Sequence, residues 1–305
     1  MRYAVIDVGT NTVKLLVADH RDDDVHPLLE DARTTRVGQD VARNGNLLPE
    51  AIERTVAAVS EFVTRAKELH PQHFLAYATS AVRDSTNRDE FLLSFRAATG
   101  FDCNVISGDE EAELIFLGAT SSKTFRERDV AVFDIGGGSI EFIYGRRGRI
   151  DFKTSLDCGA VRMTETFLKT DPPTENELNA LRDRLSTLRD LRTRMRLSDS
   201  IPLLGTGGTI STLAAMDMGI EKPVSTRIDG HRFSLPHLRE MANTLSQCPL
   251  EQRKQLRGLN PQRADIIVAG AITLVAGVEA LGRNELTVSA RNLRHGAILK
   301  HTAGS

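Results

Sequence analysis

The segment Val130-Ala131-Val132-Phe133-Asp134-Ile135-Gly136-Gly137-Gly138-Ser139 runs through four apolar residues, an aspartate, one more apolar residue, and three glycines closed by serine. An unbroken apolar run is the pattern of a strand covered on both faces, and the Asp-x-Gly step punctuates its end. Ile140, Phe142 and Tyr144 then alternate with other residues, so a second strand follows at once. The start of the chain has the same order: Tyr3-Ala4-Val5-Ile6 leads into Asp7-Val8-Gly9-Thr10-Asn11-Thr12, and Val13, Leu15 and Val17 alternate after it. Two copies of strand, glycine turn and strand predict two similarly built domains, each presenting an aspartate at a strand end.

Outside these copies, Ile52, Val56, Val59 and Val63 fall at helical spacing between Pro49 and Leu69, and Phe74 to Ala78 resumes as a strand. Alternating strands and helices indicate an α/β fold. Thr174 to Leu197 reads as one helix with Leu178, Leu181, Leu185, Leu188, Leu191 and Met195 on a single face, its arginines forming a solvated face rather than a polyanion track. Asp265 to Leu281 reads as a Gly- and Ala-rich helix packed on the second sheet. The polar stretch from Ser121 to Asp129 has no sustained period and reads as the connection between the halves. The expected domains are residues 1–121 and 122–305, with about 297–305 able to pack back on the first.

With 305 residues and 40% hydrophobic content, the chain is long enough for two cores. A formal net charge of -2 gives no global attraction to nucleic acid or an anionic membrane, so any anion site must be local. Cys103, Cys158 and Cys248 are odd in number and widely spaced, which suits neither a disulfide framework nor a zinc knuckle and points to a reducing compartment. Asp7 interrupts the N-terminal apolar run and no stretch of about 18 apolar residues occurs, so a cytoplasmic protein without a membrane partner is expected. A homodimer is the base-rate expectation. His70, His73, His231 and His237 lack zinc-ligand spacing and read as surface residues. Ser139 and Ser211 lack the Gly-x-Ser-x-Gly elbow of a serine nucleophile.

A third glycine loop, Leu203-Leu204-Gly205-Thr206-Gly207-Gly208-Thr209, joins an apolar strand to a helix start. Steric turn preferences explain any one such loop. Three together, two of them copies, point to phosphate, because consecutive amides and a helix N-terminus bind anions while a nearby carboxylate holds Mg²⁺ or orients water. Ser107 with Glu110 reads as a capping box, which by itself accounts for Glu110, Glu111 and Glu113 near a helix N-terminus.

Together, Asp7-x-Gly-Thr-Asn-Thr, Asp134-Ile-Gly-Gly-Gly-Ser-Ile-Glu141 and Gly205-Thr-Gly-Gly-Thr resemble the actin-like ATPase superfamily. Within it, Ala78-Thr-Ser-Ala-Val-Arg83-Asp84 and Ile106-Ser-Gly-Asp-Glu-Glu111-Ala112 resemble the exopolyphosphatase and guanosine pentaphosphate phosphohydrolase (Ppx/GppA) family over nearly the whole chain. The resemblance implies two actin-like, ribonuclease H-like α/β domains with mixed sheets flanked by helices and an interdomain active-site cleft. It implies Glu111 as the catalytic residue acting on water. Gly9, Thr10, Asn11, Thr12, Arg83, Gly136, Gly137, Gly138, Ser139, Gly207, Gly208 and Thr209 would bind phosphate. Asp134, Glu141 and Asp7 would hold Mg²⁺ or another divalent cation. The implied reaction is removal of terminal phosphate from inorganic polyphosphate. Guanosine pentaphosphate or another nucleotide is an alternative substrate, and an ATP-dependent kinase or ATPase, or a phosphate sensor, are further alternatives. Ser289-Ala-Arg-Asn292-Leu-Arg-His295-Gly is similar to a family segment that usually has Gly in place of Asn292 and Glu in place of His295. Asn tolerates a left-handed turn there. The chain looks like a short form lacking the extra C-terminal helical region, which implies a preference for shorter polyphosphate.

Overall fold

The two sequence copies fold into two mixed sheets of one plan. The computed structural model describes residues 1–304. Its contacts divide them into two compact units, one of Met1–Ser122 with the segment from Asn292 onward, the other of Lys123–Arg291. In the first, β1 (Arg2–Val8), β2 (Thr12–Arg21) and β3 (Asp24–Thr34) form an antiparallel meander, and β4 (His73–Ala78) and β5 (Asn104–Val105) extend it in parallel to give the order β3-β2-β1-β4-β5. Its helices are α1 (Val41–Asn44), α2 (Pro49–Lys67), α3 (Ser80–Arg83), α4 (Arg88–Thr99) and α5 (Gly108–Ala119). The apolar stripe of α2 is buried at Ile52, Val59, Phe62 and Val63 in one cluster with Ile6, Leu15 and Phe95. Burial of that stripe, more than intrinsic propensity, holds such a helix.

The second unit repeats the meander in β6 (Val130–Ile135), β7 (Ile140–Arg146) and β8 (Arg149–Leu156). After α6 (Ala160–Phe167), α7 (Glu175–Leu185) and α8 (Leu191–Met195), β9 (Leu203–Thr206) pairs in parallel with β6. Then come α9 (Gly208–Asp217), α10 (Ser225–Ile228), β10 (Arg232–Ser234), α11 (Leu235–Gln247), α12 (Leu250–Arg253), α13 (Ile267–Ala280) and β11 (Glu285–Val288), for the order β10-β11-β9-β6-β7-β8. Gly277 of α13 serves close packing on this sheet: a Cβ there would lie 2.2 Å from the Phe133 ring.

The single helix expected from Thr174 to Leu197 is broken. Between α7 and α8 lies a 3-10 turn, Ser186–Leu188. The reason is legible in the apolar stripe, because Leu185, Leu188 and Leu191 are spaced by three and all are buried. A 3-10 turn has three residues per turn and keeps all three on the core side.

The final helix, α14 (Leu293–Ala303), belongs to the first unit and packs on α5. Its start corrects the expectation for Asn292. The backbone there is extended (φ -151), and Asn292 is the N-cap, its Oδ1 accepting from the Arg294 amide at 3.2 Å. His295 Nδ1 accepts from the Asn292 amide at 3.4 Å, so the imidazole supplies the return half of a capping box. Arg294, only 6% exposed, donates to the Leu15 carbonyl at 2.7 Å and pairs with Glu30 at 3.3 Å, tying α14 to β2 and β3.

The histidines read as unremarkable surface residues are not all so. Nε2 of His231 and Nε2 of His237 each lie 2.7 Å from one oxygen of Asp217, linking the end of α9 to β10 and α11. The hydrogen bond to Asp217, with a smaller contribution from Glu240, raises the His237 pKa against the opposing effect of burial. Burial pushes Asp217 up, but the two imidazoles outweigh it and hold the carboxyl below its usual value. A raised His pKa means this stabilisation is complete below the unfolded value of about 6.5 and is lost as pH rises through the folded value. Thermal melting should therefore show a midpoint that falls between about pH 6 and pH 8.5 by more in the parent than in Asp217→Asn. Equal slopes would remove the linkage.

Cys103 and Cys158 are buried, Cys248 is half-buried, and all three are free thiols. Burial, helped by the charge of Asp7, pushes the Cys103 thiol up to about 12, which leaves it chemically inert at neutral pH. Among the described residues no helix is long and apolar enough to cross a membrane.

Candidate active site

Each unit builds the same device at the end of its first strand. The Gly9 amide donates to the Thr12 carbonyl at 3.1 Å, and the Gly136 amide donates to the Ser139 carbonyl at 3.0 Å. Neighbouring chain then consumes the carbonyl edge of each turn. The Asn11 carbonyl accepts from the amides of Thr35 and Arg36, and that of Thr10 from Gly38. In the second unit the carbonyls of Gly136, Gly137 and Gly138 accept from the amides of Gly159, Ala160, Val161 and Arg162, and Arg162 Nε adds a bond to Gly138 at 3.1 Å. Tying the carbonyls inward leaves the N–H edge as the side of each turn that can meet an anion. Asn11 is 4% exposed, and among the described residues its Oδ1 has no hydrogen-bond partner. An unsatisfied buried acceptor fits a donor supplied by solvent or ligand.

The aspartates occupy equivalent register positions with different partners. Asp7 is paired across the hairpin with Lys14, and Lys14 Nζ approaches its Oδ2 at 3.6 Å. Asp134 is instead paired across β6 and β7 with Glu141. Both carboxylates of the second pair are buried, Asp134 at 8% and Glu141 at 0% exposure, and Ser155 donates to Glu141 Oε1 at 2.7 Å. Directly opposed like charges repel, so the Asp134 and Glu141 pair is a place that favours a cation, and the equivalent position opposite Asp7 is Lys14. Among the described residues no three His, Cys, Asp or Glu side chains form a ready metal-ligand set. Two carboxylates suit Mg²⁺, which takes its remaining ligands from water and phosphate.

The third loop lies beside the second turn. Thr206 at the end of β9 is the register partner of Asp134, and Gly207 (φ 100) follows. A side chain at that φ would be strained, and a Cβ would come within 2.6 Å of the Ile135 carbonyl. Gly208 then opens α9, whose N-terminal amides can face an anion. The Thr209 hydroxyl is buried without a hydrogen-bond partner among the described residues and lies against Gly270 of α13.

In the first unit, α5 carries Glu111. Ser107 Oγ accepts from the Glu110 amide at 3.2 Å and Glu110 Oε2 accepts from the Ser107 amide at 2.9 Å, so the capping box engages Glu110 and sets the helix start. Glu111, one position further, turns inward and is 8% exposed. Arg83, at the end of α3, donates through Nη1 to Glu111 Oε2 at 3.0 Å and to the Ile106 carbonyl at 2.9 Å. A guanidinium has five N–H donors, so Arg83 can fix Glu111 and still offer donors to a phosphate. The sequence did not reveal the Ile106 carbonyl, Lys14 or Ser155 as supports. The hairpin registers that set Lys14 opposite Asp7 and Ser155 opposite Glu141 are the signals that could have found those two.

Comparison with known proteins matches residues 16–303 to the Ppx/GppA phosphatase family. The chain is 34% identical to Exopolyphosphatase 2 of Mycobacterium tuberculosis, over 98% of each protein. It is also 34% identical to a bifunctional 3-dehydroquinate synthase/phosphatase of Fusobacterium nucleatum, covering 97% of this chain but 46% of that protein, so it spans about half of that relative. Among solved structures it is similar to an exopolyphosphatase from Cytophaga hutchinsonii (TM-score 0.90, 29% identity, 100% and 98% coverage) and to the Aquifex aeolicus family member (TM-score 0.83, 30% identity, 100% and 98% coverage). With its two mixed α/β sheets, its duplicated glycine turns and this match along nearly its whole length, the chain belongs to the Ppx/GppA phosphatase family and is a phosphohydrolase.

Proposed function

We propose that this chain is an exopolyphosphatase that hydrolyses the terminal phosphate of inorganic polyphosphate with Mg²⁺. The observation that carries the reading is the pairing of Glu111 with Arg83, which couples a buried water-accepting carboxylate to a phosphate-binding cation. In this reading the amides of Gly137 to Ser139 bind phosphoryl oxygens in the second unit, with further amide donors from Gly207, Gly208 and Thr209, and those of Thr10 to Thr12 with Arg83 do so in the first, the Gly9 and Gly136 amides being engaged within their turns. Glu111 accepts a hydrogen bond from the attacking water and aims it at phosphorus. The P–O bond to the rest of the chain breaks, and the shortened polyphosphate leaves with the bridging oxygen. Asp134 and Glu141 would hold the cation, with Asp7 kept as an orienting group beside Lys14; the cation when bound neutralises the polyanion. Such catalysis rests on positioning and electrostatic stabilisation.

The test is phosphate release from polyphosphate and from guanosine pentaphosphate, with Mg²⁺ and with chelator. Release from polyphosphate that stops with chelator and returns with Mg²⁺ is expected, and Asp134→Asn should raise the Mg²⁺ needed for half-maximal rate at least about tenfold. A clear preference for the pentaphosphate would make the protein a nucleotide phosphohydrolase. ATP-dependent phosphorylation of a small acceptor would make it a kinase. Release that is indifferent to chelator would remove the metal assignment. We further propose that it acts as a cytoplasmic homodimer, which sedimentation of the purified chain would test.

A further inference from the structure

Away from these loops, the second unit contains a cavity of about 550 Å³ walled by three helical segments. Each wall is a stripe at helical spacing: Arg182 to Arg189 from α7 and the following turn, Arg239 to Ser246 from α11, and Ile272 to Ala280 from α13. Its floor is apolar, with Leu185, Ile272, Val275 and Ala276 among the side chains, and three arginines stand around it. Arg182 is held by Glu175 at 2.8 Å and Arg239 by Glu279 at 2.7 Å. Arg189 is exposed, and among the described residues its guanidinium has no carboxylate partner. With Glu279 as the acid in the wall, the lining carries a net positive charge over an apolar base.

We propose that this cavity binds a small organic anion whose phosphate, sulfonate or carboxylate head pairs with Arg189 and whose apolar body lies on the Ile272 and Ala276 floor. The volume is that of a small-ligand site, and its lining divides about evenly between apolar and polar residues, which suits a ligand with one charged end and one apolar end. A two-turn helix, 10–12 Å across, needs about twice the space, so a docked peptide fits less well. The floor has no aromatic ring, so an aliphatic or fused-ring body is favoured over a base that needs stacking. An inorganic anion would gain nothing from the floor. The site is therefore distinct in chemistry from the phosphate loops.

The probe is 8-anilinonaphthalene-1-sulfonate, a sulfonate on a fused-ring body, titrated into the whole chain by fluorescence, with sulfate as competitor. Saturable binding near one per chain is expected, not displaced by equimolar sulfate. Arg189→Glu should weaken it at least about tenfold, Arg189→Lys much less, and Ala276→Trp, which fills the floor, should abolish it. Because Arg189 is exposed, Arg189→Glu should leave the melting midpoint near the parent's, which keeps the test valid if Ala276→Trp folds poorly. Phosphate release should be unchanged in Arg189→Glu, so failure here is separable from failure of the hydrolase reading. Equal dye binding in parent and variants, or displacement by sulfate alone, would overturn the proposal. So would a dimer that falls apart in Arg189→Glu, since the cavity would then be an interface between copies.

Discussion

Replacing Glu111 with Gln is expected to lower the rate of phosphate release about 10²- to 10⁴-fold, with KM little changed and the melting midpoint close to the parent's. Gln keeps the volume and an oxygen for the Arg83 bond, so the 3.0 Å contact can survive. It loses the charge and basicity that let a carboxylate polarise water. The neighbouring acid supplies the control. Glu110 is engaged in the capping box through Ser107, so Glu110→Ala should cost about 1 kcal/mol of stability and leave turnover nearly intact. If Glu110→Ala were the inactive variant and Glu111→Gln the active one, the assignment would be reversed. Near-parental turnover in both would remove α5 from the chemistry.

The largest stability effect is expected at Gly296. A Cβ there would lie 1.9 Å from the Leu114 carbonyl oxygen, and reciprocally one on Gly118 would lie 2.0 Å from the Asn292 carbonyl oxygen. Both obstacles are backbone, which cannot rotate aside, so α5 and α14 would have to separate by about an ångström. Ala is the better helix former by about 1 kcal/mol, yet overpacking of this kind should outweigh that, and Gly296→Ala should destabilise by about 3 kcal/mol or more. Leu114 lies one helical turn beyond Glu111, so turnover should fall with stability. Gly304→Ala, where a Cβ would meet nothing nearer than 3.8 Å, should change little. Denaturant unfolding of the two variants measures the contrast, and a stabilised Gly296→Ala would show that the helices are not in this contact.

The glycine turns and the capping box were legible because their physics is local. Consecutive residues form the bonds from Gly9 to Thr12 and from Gly136 to Ser139, and the cap of Ser107 on Glu110 spans three residues. The leucine stripe is legible too, but its interruption is not, because a few three-residue spacings fit an α-helical period and a 3-10 turn alike. Asn292 is ambiguous for a related reason: Asn both tolerates a left-handed turn and caps helices, and the contact with His295 decides between them.

The sequence by itself determined two α/β units and their strand-turn-strand repeats, since apolar periodicity and turn sterics act over a few neighbours. Only the tertiary structure decided that Asp7 faces Lys14 while Asp134 faces Glu141, that Arg83 reaches Glu111 across 28 residues, and that His231 and His237 share Asp217. Those pairings depend on strand register and helix packing, where contacts between residues far apart in the chain must compete for burial and charge at once.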